Sequence, residues 1–104
     1  MQLNDEIKTS IRESVLCWLA TVDEQGFPNC SPKEVFSNFG DSELIIANIS
    51  SPTSVNNLRH QPSVCVSFVH VFKQKGFKLK GKARYLVLGE DDYDERFSII
   101  KPIV

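Results

Sequence analysis

Hydrophobic residues near the start of the chain recur every four positions. Those that share one side of a helix are Leu3, Ile7, Ile11 and Val15. Charged and polar residues separate them, and Asn4 or Asp5 is suited to cap the first turn. This pattern predicts an amphipathic N-terminal helix.

After this helix the hydrophobic period changes to two, which is typical of β-strands. Alternation places one set of residues on a single face of the first strand, namely Leu16, Trp18, Ala20 and Val22. The turn Asp23–Gly26 leads to a returning strand, Phe27–Phe36. Pro28 and Pro32 remove two ladder donors from that strand, which favours an edge or irregular position. A short buried strand, Glu43–Asn48, follows another turn.

The second half of the chain alternates again. Ser63–Val71 and Phe77–Val87 are predicted to be strands joined by the turn Lys73–Gly76. Glu90–Ile100 is predicted to be a helix whose acidic residues occupy the favourable first turn. Five or more antiparallel strands with few helices favour a small closed or partly closed barrel, because such a barrel leaves few strand edges exposed.

Between these halves, Ala47–Pro62 runs from the end of a strand through several hydroxyl residues into a short helix. Ser51 suits the cap of that helix, and Pro52 suits its first position. Unsatisfied N–H groups and the partial positive charge at a helix N-terminus suit a bound phosphate. The same residues also fit an ordinary capped helix without a ligand.

Composition narrows the class of protein. The 104 residues correspond to one domain, and the formal net charge of −1 argues against a dedicated nucleic-acid-binding protein. Cys17, Cys30 and Cys65 lie in predicted strands without a disulfide or zinc spacing, so we expect three buried free thiols. No secretory leader is apparent, and no apolar run approaches the ~20 residues of a membrane span. We therefore expect a cytoplasmic protein that binds neither membranes nor nucleic acid.

Two strands have polar faces that indicate possible ligand binding. Asn29, Ser31 and Lys33 share one face, where the lysine can offset a phosphate charge; the other interpretation is a solvated lysine at a sheet edge. A basic row could attract a polyanion, and it consists of Lys78, Lys80, Lys82 and Arg84. A solvent-facing row balanced by the acidic residues of Glu90–Glu95 explains the same pattern.

The sequence has no pattern for a side-chain nucleophile. His60 and His70 lack the partners of a metal site or a triad, and no Gly-x-Ser-x-Gly or Walker-type loop occurs. Any reaction is therefore expected to depend on a cofactor, and the other possibility is that the chain catalyses no reaction.

Several segments occur together in one order along the chain: Leu19–Asp23, Gly26–Lys33, Ala47–Pro62, and Gly76 and Phe77 with Gly81 and Ala83. In combination they resemble the pyridoxamine 5'-phosphate oxidase-like, FMN-binding split-barrel family. The resemblance implies a mainly β fold for residues 1–104. This fold is a six-stranded antiparallel split barrel of Greek-key type, with an N-terminal helix and a short helix after strand 3. It also implies a homodimer with one FMN in each of two clefts between subunits.

The resemblance also implies which residues hold the cofactor. One strand would run along the flavin, backbone groups at the end of the next would meet the ring and ribityl chain, and hydroxyl residues would hold the phosphate. The implied FMN-binding residues are Ser31, Pro32, Lys33, Val35, Ile46, Ala47, Asn48, Ser51, Thr53, Ser54, Asn57 and Arg59. Pro52 and Thr53 stand where pyridoxamine oxidases usually have basic residues. The positive charge is therefore expected from Lys33, Arg59 or a cation of the partner subunit.

The activity implied is an FMN-dependent oxidoreductase that transfers a hydride or electrons at the flavin to a small, unidentified substrate. The chain lacks the C-terminal arginine and histidine motif that such oxidases use for pyridoxal substrates, so pyridoxamine phosphate oxidation is not expected. An FMN carrier without a substrate and a ligand-free interaction module are the alternatives, and related split barrels also bind deazaflavin or heme. The chain ends at Val104, where family members commonly add a final strand.

Overall fold

The computed structural model describes residues 2–47 and 52–100. The strands are β1 (Cys17–Val22), β2 (Pro28–Lys33), β3 (Phe36–Phe39), β4 (Glu43–Ile46), β5 (Ser63–His70) and β6 (Lys75–Lys82). The helices are α1 (Asp5–Glu13), α2 (Pro52–His60) and α3 (Tyr93–Ile100). The predicted architecture, mainly β with six antiparallel strands, is confirmed.

The strands form two sheets. One has four strands in the order β2-β1-β5-β6, and the other is the hairpin of β3 and β4. All the pairings are antiparallel. Within the two described ranges, the hydrogen-bonded ladders do not join the sheets into a closed ring, so the barrel is split.

Several boundaries differ from the sequence prediction: β6 begins at Lys75, within the predicted turn, and α3 begins at Tyr93 rather than at Glu90. The predicted strand Phe27–Phe36 is interrupted after Lys33, because β2 pairs with the first sheet whereas Phe36 begins the second. The helix α2 consequently follows the fourth strand rather than the third. The predicted strand Phe77–Val87 ends at Lys82, opposite Ser63, where its partner strand begins.

The core lies between α1 and the inner faces of the two sheets. Its buried residues are Leu3, Ile11, Cys17, Leu19, Phe36, Val66, Phe68 and Leu79. The ring of Phe68 is central, with its centroid 6.4 Å from that of Phe36 and 6.1 Å from that of Phe77. The predicted cap of α1 is also confirmed, because the side chain of Asn4 accepts a hydrogen bond from the Ile7 amide at 2.8 Å.

The opposite face of the four-stranded sheet is partly exposed. We call it the outer face and define it by Trp18, Cys30, Pro32, Ser67, Val69 and Lys78. Trp18 is 44% exposed and Val69 is 49% exposed. The prediction of three buried thiols is wrong for Cys30, which is exposed because it lies on this face of an edge strand; Cys17 is buried and Cys65 is half-buried.

Candidate functional site

A cavity of about 690 Å³ opens between the two sheets. The inner face of the four-stranded sheet contributes Leu19, Val66 and Leu79, which are aligned across three neighbouring strands. Residues of β4, α2, α3 and the segment after β6 complete the lining. The cavity therefore lies along the split of the barrel, where a ligand can contact both sheets.

One end of the cavity is formed by Lys33, and we call it the Lys33 end. Lys33 is only 5% exposed because it is the last residue of β2 and belongs to the strand face that points inward. Burial removes water from its ammonium group and thereby lowers the pKa of Lys33. The sequence prediction that Asn29, Ser31 and Lys33 share a face is confirmed by their burial relative to the residues between them.

A pair of hydroxyl groups lies close to this lysine. The Ser31 hydroxyl is two residues before Lys33 on the same face, and its oxygen is 3.3 Å from the Ser54 hydroxyl oxygen. Ser54 is 2% exposed and belongs to the first turn of α2. The Lys33 end therefore combines a buried cation, two hydroxyl groups and a helix N-terminus, which are the groups that bind phosphate in proteins.

Asn57 fixes α2 against the sheet. Its side-chain amide donates a hydrogen bond to the hydroxyl oxygen of Thr21 at 2.9 Å, and both residues are buried. This bond orients the helix so that Ser54, one turn earlier, faces Ser31. Asn57 is not among the residues that line the cavity.

The other predicted binding residues fall into three groups. Ile46 and Ala47 line the cavity, whereas Ser31 and Val35 do not; the Ala47 amide donates a hydrogen bond to the backbone carbonyl of Val35 at 2.9 Å. Three predicted residues are exposed and do not line it, and they are Pro32, Thr53 and Arg59. Asn48 and Ser51 lie outside the described residues.

Sequence reasoning missed the opposite end of the cavity, which we call the α3 end. It is lined by Tyr85 and by three residues of α3: Tyr93, Arg96 and Phe97. The spacing i, i+3, i+4 of these helix residues was the available signal, since such residues share one face of a helix. That face had no distinctive motif, so the helix was predicted without its contribution to a site.

Comparison with known sequences identifies the family of this chain. A sequence profile for pyridoxamine 5'-phosphate oxidase matches residues 3–102, which is nearly the whole chain. The chain belongs to the pyridoxamine 5'-phosphate oxidase family. The resemblance inferred from the sequence is therefore confirmed. No curated protein sequence matches the chain significantly.

Solved structures of similar fold support this membership. HupZ from Group A Streptococcus is 25% identical with a TM-score of 0.80, over 96% of this chain and 78% of that one. A protein from Lactobacillus delbrueckii, described provisionally as a pyridoxamine 5'-phosphate oxidase, is 20% identical with a TM-score of 0.81, over 93% and 78% of the two chains. HutZ from Vibrio cholerae, a heme storage protein, is 22% identical with a TM-score of 0.77, over 99% and 76%.

Most residues of the predicted basic row face the solvent. Lys78, Lys80 and Lys82 are exposed, and Arg84 is paired with Asp92 at 2.5 Å. This hydrogen bond from Arg84 lowers the pKa of Asp92. The prediction that the acidic run balances the row is thus confirmed at Arg84.

Within residues 2–47 and 52–100, no group of three or more His, Cys, Asp or Glu side chains is arranged to hold a metal ion. None of the helices in that part of the chain is long and apolar enough to cross a membrane.

Proposed function

We propose that the chain binds FMN at the Lys33 end and acts as an FMN-dependent oxidoreductase on a small substrate. The observation that supports this proposal most strongly is the buried ammonium group of Lys33 at the wall of a large apolar cavity. Water is largely excluded from this ammonium group, so its attraction to a nearby phosphate is weakened less than it would be at the protein surface.

The surrounding groups fit a phosphate in particular. A hydroxyl group of the Ser31–Ser54 pair can turn its O–H toward a phosphate oxygen when the ligand binds. The N-terminus of α2, which begins at Pro52, adds partial positive charge in the same region. Hydrogen bonds to a charged phosphate are roughly twice as strong as those between neutral groups, so this small set is sufficient for specific recognition.

The remainder of the cavity fits a ring system. Its volume of about 690 Å³ falls within the range of roughly 300–1,000 Å³ that is typical of small-molecule sites. Leu19, Val66 and Leu79 provide an apolar surface, and Ile46 and Ala47 line the cavity at the end of β4. FMN, when bound, supplies hydride or electron transfer, while these residues orient it and exclude water.

The charge balance points to Lys33 rather than Arg59. Arg59 is exposed in the last turn of α2 and does not line the cavity. Cations close to the C-terminus of a helix are favoured by its dipole, so Arg59 has a structural explanation without a ligand. We therefore assign the compensating charge of the cofactor to Lys33.

The proposed assembly is a homodimer in which the outer faces of two chains meet. The outer face carries exposed apolar side chains, including Trp18 and Val69, on a sheet that is covered on its other side by the core. Apolar patches of this kind commonly mark protein interfaces. Covering the outer face with a second copy would bury these residues.

Heme binding is a second candidate function. It is favoured by the likeness in fold to HutZ, a heme storage protein. Among the described residues that line the cavity, Tyr85 and Tyr93 could ligate heme iron, whereas none is His, Cys or Met. A heme at this site would therefore require a tyrosine ligand from this chain or a ligand from the partner subunit.

A titration separates these functions. FMN fluorescence should be quenched at one FMN per chain, and heme added to the same protein should give no Soret shift at equal concentration. A Soret shift without quenching would favour heme storage, and a response to neither ligand would favour an interaction module. If FMN binds, reduction of the bound flavin by NADH or NADPH and its reoxidation by acceptors distinguish an oxidoreductase from a carrier, since a carrier would exchange no electrons at catalytic rates.

A further inference from the structure

The α3 end of the cavity is chemically different from the Lys33 end. We propose that it is a subsite for an uncharged, planar aromatic ring, and that this ring belongs to the substrate. As a statement about the substrate, the proposal rests on the proposed oxidoreductase function. Ring binding itself can be measured without any cofactor.

The first argument is the aromatic surface. The rings of Tyr93 and Phe97 are stacked, with centroids 5.5 Å apart and an interplanar angle of 13°. Both line the cavity, and Phe97 is 38% exposed although it is apolar. Tyr85, also on the lining, is 46% exposed. Aromatic side chains in this arrangement favour the stacking of another flat ring.

The second argument is that the arginine at this end is already neutralised. Arg96 donates hydrogen bonds to both carboxylate oxygens of Glu43, at 3.0 and 2.8 Å. Its guanidinium also lies over the ring of Phe39, 4.6 Å from the centroid. These contacts hold Arg96 against the β3–β4 hairpin, and its charge is balanced by Glu43 and by Asp92, so its attraction for an anionic substrate is weakened.

The other cations near this end also contribute little positive charge to the cavity. Arg84 is paired with Asp92 at 2.5 Å. Lys80 and Lys82 contribute to the cavity rim, but they alternate with the buried Leu79, so their side chains project from the opposite face of β6. The α3 end is therefore aromatic and close to electrically neutral. This chemistry selects against a phosphorylated or carboxylated ring.

Two ligands that differ by one phosphate group provide the test. In the protein without added FMN, 2-naphthol should bind and should give intermolecular nuclear Overhauser effects to the rings of Tyr93 and Phe97. At the same concentration, 2-naphthyl phosphate should give no such effects to these rings. Equal or stronger contacts from 2-naphthyl phosphate to Phe97 would overturn the proposal.

A matched pair of variants tests the aromatic surface. Phe97→Leu keeps an apolar side chain but removes the ring, and it should weaken 2-naphthol binding by roughly three- to tenfold. The control is Phe72→Leu, because Phe72 is 95% exposed and lies outside the cavity, and this variant should bind as the wild type does. Calorimetric titration gives the dissociation constants, and circular dichroism checks the fold.

Three further results of these experiments would overturn or support the ring subsite. Unchanged 2-naphthol affinity in Phe97→Leu would overturn the subsite. The subsite would also be overturned if the wild type were a dimer and the Phe97→Leu variant a monomer, because a second copy would then cover the ring of Phe97. Binding of 2-naphthol that depends on Phe97 in a protein that ignores FMN would support the ring subsite, while the flavin function alone would fail.

Discussion

The side-chain amide of Asn57 donates a hydrogen bond to the hydroxyl oxygen of Thr21 at 2.9 Å, and both residues are buried. This bond joins the middle of α2 to the inner face of β1. It connects residues that are 36 positions apart in the sequence. The position of Ser54 beside Ser31 depends on it, so the bond connects the stability of the fold to the geometry of the Lys33 end.

Removal of one partner of this bond should destabilise the protein. Thr21→Val preserves the shape of the side chain but leaves the buried Asn57 amide without its acceptor, which costs about 1–3 kcal/mol of unfolding free energy. The double variant Thr21→Val with Asn57→Leu should recover part of that loss, since both polar groups are then absent. Chemical denaturation measures the three free energies, and a fully additive double variant would contradict a direct interaction.

Gly76 should be the least replaceable glycine of β6. A Cβ atom at this position would lie 2.6 Å from the carbonyl oxygen of Phe68 on the paired strand. Gly76→Ala should therefore lower the unfolding free energy by about 1–3 kcal/mol through overpacking. Gly81→Ala, on the same strand, is the control because a Cβ there meets no atom within 4 Å. Equal thermal midpoints for the two variants would refute this explanation.

The cysteines should differ in reactivity. Burial raises the pKa of Cys17 to about 11, despite the opposing effect of Lys33, and its side chain is fully inaccessible. At pH 8 iodoacetamide should therefore modify Cys17 only after unfolding in guanidinium, since the thiolate is the reactive form. Cys30 should be modified in the dilute native protein. Peptide mass spectrometry measures both rates, and comparable rates in the native state would be inconsistent with this difference.

The proposed dimer interface on the outer face can be tested with a charged substitution. Trp18→Glu places a charge on the outer face, where Trp18 is 44% exposed in the single chain. If a second copy covers this face, the variant should be monomeric at concentrations where the wild type is dimeric. Sedimentation velocity measures the mass, and Phe27→Glu is a control because Phe27 is 70% exposed just before β2 begins. A dimer that tolerates Trp18→Glu would place the interface elsewhere.

Much of the fold was predictable because local patterns determine it. The four-residue period predicted α1, the alternation predicted the strands, and Asn4, one of the two predicted cap residues, caps the helix. The end of β6 was not predictable, because Lys82 is terminal only where its partner strand begins at Ser63. The exposure of Cys30 was missed although its strand was predicted to be an edge strand, because the alternation does not show that the outer face of the sheet is partly exposed.

The candidate site was predictable only in part. The polar face of β2 followed from alternation, so Ser31 and Lys33 were found. The pairing of Asn57 with Thr21 was not predictable, because that contact depends on how α2 packs across β1. The α3 end was missed altogether, since Tyr93 and Phe97 come to line the cavity only in the folded chain.

The central claim is that Lys33 holds the phosphate of FMN, and a comparison of FMN with riboflavin tests it most directly. The two ligands share the flavin ring and differ in the phosphate. Wild-type protein should bind FMN on the order of 100-fold more tightly than riboflavin, because charge-assisted hydrogen bonds contribute about 1.5–3 kcal/mol each.

The decisive variant is Lys33→Gln, which removes the buried charge at the end of β2. We expect the preference for FMN over riboflavin, measured by fluorescence titration of both ligands, to fall below roughly tenfold while riboflavin affinity stays close to that of the wild type. A wild-type protein without preference for FMN, or a Lys33→Gln variant that keeps the full preference, would contradict the assignment of Lys33.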